Sequence, residues 1–143
     1  MSFHFLTGLT LASTVLVLAG CGRSTGPELA EVSGTVTING VPADHGQVYF
    51  YPDKDLGTTG PMSIAEIRTD GTYSITAADG QQGAVVGHHR VRVEIRHPPK
   101  DMRDTQPALA TLPKYNNQME SGLTAHVEAG ENNVYDFEVE ADK

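Results

Sequence analysis

The sequence predicts an all-β fold, a seven-stranded antiparallel β-sandwich. From Glu31 onward apolar residues alternate with polar ones, and a period of two is typical of half-buried strands. Each alternating run is short, and Gly, Pro, Asn or Asp separates it from the next run. The 143 residues, 38% of them hydrophobic and none of them Trp, suit one domain with one core.

The first two strands are predicted at residues 32–38 and 47–51. In the first, the aliphatic side chains and a glycine share one face while Ser and Thr occupy the other. Asn39-Gly40 then supplies a pair that tolerates positive φ at both centres of a type I′ turn. In the second strand two tyrosines alternate with Val and Phe, and Pro52 ends it by removing a backbone donor.

Three further segments continue the alternation. Residues 63–68 and 73–76 flank Asp70-Gly71, which predicts a β-hairpin. Residues 89–96 show the clearest alternation, with Val and Ile on one face and Arg and Glu on the other.

The last part of the chain combines a long loop with two strands. Residues 98–120 contain four prolines and no regular period, so we expect Leu109, Leu112 and Tyr115 to pin this loop to the body. Strands at 123–128 and 133–139 then complete the set of seven.

The N-terminal segment has the features of an export signal. Residues 5–19 are apolar but shorter than the ~20 residues that a membrane-spanning helix needs. They run into Leu18-Ala19-Gly20-Cys21, which resembles a bacterial lipobox. The resemblance implies that residues 1–20 are a cleaved lipoprotein signal peptide and that Cys21 carries the lipid, diacylglycerol and palmitate.

Lipidation would divide the mature chain into an anchor and a body. Residues 21–30 are small, polar and broken by Gly and Pro, as expected of a tether, and residues 31–143 form the sandwich domain. All ten Lys and Arg and all eighteen Asp and Glu follow Cys21, so the body carries the net charge of −8. Such an acidic body repels phosphate backbones, which argues against nucleic acid as a partner.

The strand motifs resemble a known family. Residues 32–42 (VSGTVTINGVP) and 46–50 (GQVYF) are similar to the start of carboxypeptidase regulatory-like domains, which have a transthyretin-like (prealbumin-like) sandwich. Residues 69–75 (TDGTYSI) resemble the second hallmark of that family. Residues 87–93 (GHHRVRV) resemble its Gly-x-Tyr-x-Val-x-Val strand, with His89 at the aromatic position.

The C-terminal motifs extend the resemblance. Residues 112–115, 121–124 and 130–132 are similar to small planctomycete lipoproteins that join a lipobox to one such domain. The resemblance implies a membrane-tethered accessory or binding module without catalytic activity.

No residues form a recognisable catalytic or metal motif. The sequence lacks a nucleophile elbow and an HExxH pair, so we expect no catalytic residues, no metal and no cofactor. His88 and His89 are adjacent in a strand, so their side chains should point to opposite faces and not share an ion.

Two groups of residues are candidate ligand contacts. Arg90, Arg92 and Arg96 lie in one row, and guanidinium groups suit carboxylate, sulfate or phosphate. Neutralisation of this row by Glu94, and by Glu128 or Glu138 on a neighbouring strand, is the competing interpretation.

Tyr49 and Tyr51 form the second group, since alternation leaves both on the polar face of their strand. They could contact a glycan or a protein, and packing at the edge of the core is the alternative.

Three functional hypotheses follow. The first is a lipid-anchored, non-catalytic interaction or structural module of the cell envelope, on the outer membrane or the periplasmic face of the inner membrane. Its partners would be the membrane, through the lipid, and an envelope protein or glycan. The second is a carbohydrate- or anionic-ligand-binding module, and the third, with the least support, is an envelope hydrolase.

Overall fold

The computed structural model describes residues 26–77 and 80–143, and the predicted signal segment and the lipid site at Cys21 lie outside them. The described residues are all-β and contain no α-helix. None of their helical segments is long and apolar enough to cross a membrane. Two 3₁₀ turns cover Lys54–Leu56 and Pro113–Asn116. The strands are β1 (Leu29–Ala30), β2 (Val32–Ile38), β3 (Val41–Pro42), β4 (Gln47–Pro52), β5 (Ser63–Glu66), β6 (Thr72–Ser74), β7 (Thr76–Ala77), β8 (Ala84–Val85), β9 (Gly87–Glu94), β10 (Leu123–Val127), β11 (Asn133–Val134) and β12 (Phe137–Val139).

The first of two five-stranded sheets is antiparallel and has the strand order β10-β9-β4-β5-β7. Strands β4 and β9 lie at its centre, and their register places Tyr49 opposite Arg92 and Tyr51 opposite Arg90. The sheet therefore brings the two predicted groups of ligand contacts together, although they are about 40 residues apart in the chain.

The second sheet is built around β2. Strands β3 and β6 pair with it antiparallel, whereas β11 and β12 pair with it parallel. The prediction of a wholly antiparallel fold is therefore wrong for the last segment. Alternation predicts which side chains are buried, but the direction of a strand depends on the end of the sheet at which the chain arrives.

Both sheets contribute to one hydrophobic core. Buried residues alternate along β4 and β9 as predicted, with the valines and Phe50 inside and the tyrosines and arginines outside. Phe50 lies at the centre of an aromatic cluster, since its ring is 5.7 to 6.4 Å from the rings of four neighbours, His89, Tyr73, Tyr135 and Phe137.

The predicted hairpin at Asp70-Gly71 forms only in part. The turn itself forms, with Gly71 at φ 84° and its N–H donating to the Arg68 carbonyl at 2.9 Å. Yet β5 pairs with β4 and β7, while β6 pairs with β2 in the other sheet. The predicted strand 73–76 is thus divided between two sheets, with the buried Ile75 at the crossing.

The predicted strand 133–139 is also interrupted. Asp136 Oδ1 accepts hydrogen bonds from the backbone N–H (2.8 Å) and the hydroxyl (2.6 Å) of Thr35, and this side-chain pairing replaces the ladder between β11 and β12. Gly34 is needed beside it, because a Cβ there would lie 1.8 Å from the Tyr135 carbonyl oxygen. The interruption therefore follows from a contact more than 100 residues apart in sequence.

The turn and loop predictions fare better. Asn39 and Gly40 have φ of 49° and 80°, as a type I′ turn requires. In the predicted loop 98–120, Tyr115 is buried and Leu112 packs against the core. Leu109 forms only an isolated β-bridge, to Arg96, two residues beyond the end of β9. The predicted tether ends earlier than residue 30, because β1 pairs with β8.

Candidate ligand-binding face

The outward surface of β4 and β9 carries a stacked pair of tyrosines. The ring centroids of Tyr49 and Tyr51 are 6.3 Å apart and the rings are inclined by only 18°. Both side chains are partly exposed, and the Tyr49 hydroxyl donates to Gln47 Oε1 at 2.5 Å. We refer to Tyr49, Tyr51 and Arg92 as the tyrosine face.

Arg92 extends across this face. Its Cζ lies 4.0 Å from the centroid of the Tyr49 ring, which is cation–π geometry. Its Nη2 also donates to Glu94 Oε2 at 3.1 Å, so the guanidinium is held both by a ring and by a carboxylate. These contacts restrain the side chain in the absence of any ligand.

Arg90 is held by two aspartates, Asp53 just before the first 3₁₀ turn and Asp55 within it. Its Nε lies 2.9 Å from Asp53 Oδ2 and its Nη2 lies 2.8 Å from Asp55 Oδ2. The hydrogen bonds from Arg90 hold the pKa of the Asp53 carboxyl below its ordinary value, and the same pairing raises the pKa of Arg90. Asp53 also accepts a hydrogen bond from the Asp55 N–H, which caps the turn.

Arg96 lies just beyond β9 and contacts the long loop. Its Nε donates to Glu94 Oε1 at 2.6 Å and its Nη1 donates to the Pro107 carbonyl at 2.7 Å. The Arg96 carbonyl in turn lies 2.6 Å from His45 Nε2. That hydrogen bond, together with the neighbouring Asp44 carboxylate, raises the pKa of His45.

The carboxylates that neutralise the arginine row are Asp53, Asp55 and Glu94. The prediction that Glu128 or Glu138 would lie opposite the row is therefore wrong. The pairing of Arg90 with the two aspartates was not predicted, because the turn that brings them beside Arg90 becomes visible only once β4 is paired with β9.

The histidines of β9 point to opposite faces, as predicted. His89 is 1% exposed, lies against Phe50, and has Nδ1 3.1 Å from the Gly87 carbonyl. Burial lowers its pKa, and its Nε2 has no hydrogen-bond partner among the described residues. His88 faces outward and stacks on His126, with ring centroids 4.1 Å apart and an interplanar angle of 11°.

The pairing of His88 with His126 was not predicted, since only the register of β10 against β9 places them together. Within residues 26–77 and 80–143, no group of three or more His, Cys, Asp or Glu side chains is placed to hold a metal ion.

Comparison with protein-family models, curated proteins and solved structures finds no match to this chain.

Proposed function

We propose that this chain is a lipoprotein of the bacterial cell envelope, anchored through Cys21 on the outer membrane or the periplasmic face of the inner membrane. Its body is a transthyretin-like β-sandwich of the carboxypeptidase regulatory-like type that acts as a non-catalytic interaction module. The lipobox-like N-terminus supports the anchor. Two β-sheets that contribute to a single core support the sandwich.

The tyrosine face is the ligand contact of this module. Stacked, partly exposed tyrosine rings offer an apolar surface edged by hydroxyl groups, which suits the alternating C–H and O–H groups of a sugar ring. Arg92 adds a hydrogen-bond donor at the side of that surface. This juxtaposition of Tyr49, Tyr51 and Arg92 is the observation that carries the proposal.

The ligand is a neutral glycan in preference to an anionic one. Each arginine of the row already has a carboxylate partner, at 2.9 Å for Arg90, 3.1 Å for Arg92 and 2.6 Å for Arg96. An anion would have to displace these carboxylates and would meet a chain of net charge −8. A neutral sugar can stack on the rings and leave the ion pairs in place.

The anchor is tested with the full-length protein and its Cys21→Ser variant in a host that processes lipoproteins. We expect the parent protein to lose residues 1–20, gain acyl mass and fractionate with membranes, and the variant to do none of these. Intact-mass analysis and fractionation measure the outcome. A soluble, unacylated product from both forms would overturn the anchor.

The ligand is tested on an array that contains neutral and sulfated glycans. We expect binding to neutral glycans that is lost in Tyr51→Ala and retained in the control Met102→Ala, whose side chain is fully exposed on the long loop. Binding that survives Tyr51→Ala would remove the tyrosine face as the contact. Binding restricted to sulfated glycans would favour the anionic alternative.

A further inference from the structure

A second group of residues lies along the edge of β9 that pairs with β10, away from the edge that pairs with β4. The register places His126 directly opposite His88, and their rings are stacked 4.1 Å apart. His88 is partly buried, whereas His126 is exposed. Within the described residues, neither ring makes a hydrogen bond, so the ring nitrogens of both residues are available.

The backbone pairing explains why the two rings lie so close. The His126 N–H donates to the Tyr135 hydroxyl at 3.0 Å, and that hydroxyl donates to the His126 carbonyl. On β9, the His88 N–H donates to Thr58 Oγ1 and the His88 carbonyl accepts from the Asp53 N–H, both at 2.8 Å.

These four bonds all point away from the β9–β10 interface. The two histidines therefore form a non-hydrogen-bonded antiparallel pair, the cross-strand position with the shortest Cα separation, about 4.5 Å.

We propose that His88 and His126 form a two-histidine chelate for a divalent transition metal ion such as Zn²⁺ or Cu²⁺. Neutral imidazole nitrogen is a preferred ligand of both ions. The two rings are nearly parallel and 4.1 Å apart, and rotation of the exposed His126 ring about its side-chain torsions brings one of its nitrogens toward the same point as a nitrogen of His88.

The surroundings leave room for the rest of the coordination shell. A cleft of about 320 Å³ adjoins the pair and is also lined by Asp53, Leu56 and Thr124. Water fills the remaining positions, because Asp53 is committed to Arg90 and His89 is buried against Phe50. The site is separate from the tyrosine face and does not depend on the glycan proposal.

The test is calorimetric titration of full-length protein with ZnCl₂ in detergent, in a Cys21→Ser background that removes the only thiol. We expect one equivalent of Zn²⁺ to bind, with affinity reduced roughly tenfold or more in His88→Gln and in His126→Gln. His97→Gln is the matched control, because His97 is exposed and should leave the affinity unchanged. Equal affinity in the parent and His126→Gln, or no binding by the parent, would overturn the proposal.

A second measurement covers the case in which a variant folds poorly. The electron paramagnetic resonance spectrum of one equivalent of Cu²⁺ bound to the parent should show coupling to two imidazole nitrogens. Coupling to a single nitrogen would mean that the histidines bind separately, and the chelate would be wrong. In addition, Zn²⁺ should raise the Tm of the parent and of His97→Gln, since a ligand that binds only the native state stabilises it.

Discussion

The inner and outer faces of the β4–β9 strand pair are made from alternate residues of the same two segments, yet they are held in different ways. On the inner face Val48, Phe50, Val91 and Val93 have no exposed surface. On the outer face the side chains remain partly accessible and are held by ring stacking and ion pairs. The comparison shows that one alternating pattern can supply both the core and an ordered outer surface.

The outer face is ordered without a ligand. Arg90 contacts two carboxylates, and Arg92 contacts both a ring and a carboxylate. Because these side chains are already restrained, a ligand that stacks on the tyrosines loses little affinity to side-chain ordering. The inner face contributes stability, and the outer face contributes a prearranged surface.

Phe50→Ala should have the largest effect, because it removes the centre of the inner aromatic cluster. We expect a loss of about 3 to 5 kcal/mol in the free energy of unfolding, the usual cost of deleting a fully buried aromatic side chain. Denaturant unfolding measures it. A loss below about 1 kcal/mol would mean that the inner face does not hold the two sheets together.

Asp53→Ala should give the largest loss of stability among the outer-face changes, while remaining smaller than Phe50→Ala. It removes the Nε partner of Arg90 and the cap of the 3₁₀ turn together. Asp55→Ala is the control, because that carboxylate is 81% exposed and should contribute little. Melting temperatures that rank the two variants in the reverse order would contradict this assignment.

The same ion pair has a pH signature. The pKa of Asp53 is lowered in the folded chain, so its contribution is present above the ordinary aspartate value of about 3.9 and is lost as the pH falls through the folded pKa. Asp53→Ala should therefore reduce the loss of the free energy of unfolding that occurs as the pH falls below about 3.9, and Asp55→Ala should not.

His89→Phe tests the one titrating side chain of the inner face. Burial lowers the pKa of His89. Below about pH 6.5, His89 therefore binds a proton in the unfolded chain but remains neutral in the native state until a lower pH. Native stability then falls with acidification, and His89→Phe should reduce that fall between about pH 7 and pH 5.5. Urea midpoints at the two pH values measure it.

His45→Gln should act in the opposite sense. The raised pKa of His45 gives stability that is present below about pH 6.5 and lost as the pH rises through the folded pKa. Its removal should make the loss on acidification larger. If both histidine variants changed the pH dependence of stability in the same direction, the direction of the pKa shift assigned to one of the two histidines would be wrong.

Tyr51→Ala should have only a small effect on stability. The residue is partly exposed and its main described contact is the stack on Tyr49, so we expect a loss within about 1 kcal/mol. Thermal unfolding measures the loss, and glycan binding should disappear in the same variant. A large destabilisation would instead place Tyr51 in the packing of the core edge.

The predictions from sequence succeeded where the cause is local. The inward and outward faces of β4 and β9 and the turn at Asn39-Gly40 are confirmed. Each depends on the pleat of a strand or on the backbone preference of one or two residues. The predicted hairpin at Asp70-Gly71 formed only in part, because the turn forms locally while β6 joins the sheet of β2 and only Thr76 of the predicted second strand pairs with β5.

The candidate sites divide in the same way. Alternation was enough to place Tyr49, Tyr51 and the arginines outside, but not to pair Arg90 with Asp53 or His88 with His126. Those pairs depend on strand register and on the path of a turn, which couple residues 37 and 38 positions apart.

Composition, periodicity and turn residues were thus sufficient for an all-β chain, for the buried and exposed sides of its central strands, and for its candidate tyrosines and arginines. Strand order, the parallel pairing of β11 and β12 with β2, and the histidine pair were decided only in the folded structure. The physical reason is the sequence distance over which each feature is determined. Side-chain alternation follows from the geometry of one strand, whereas the neighbours, direction and register of a strand depend on which distant segments bury their apolar faces together.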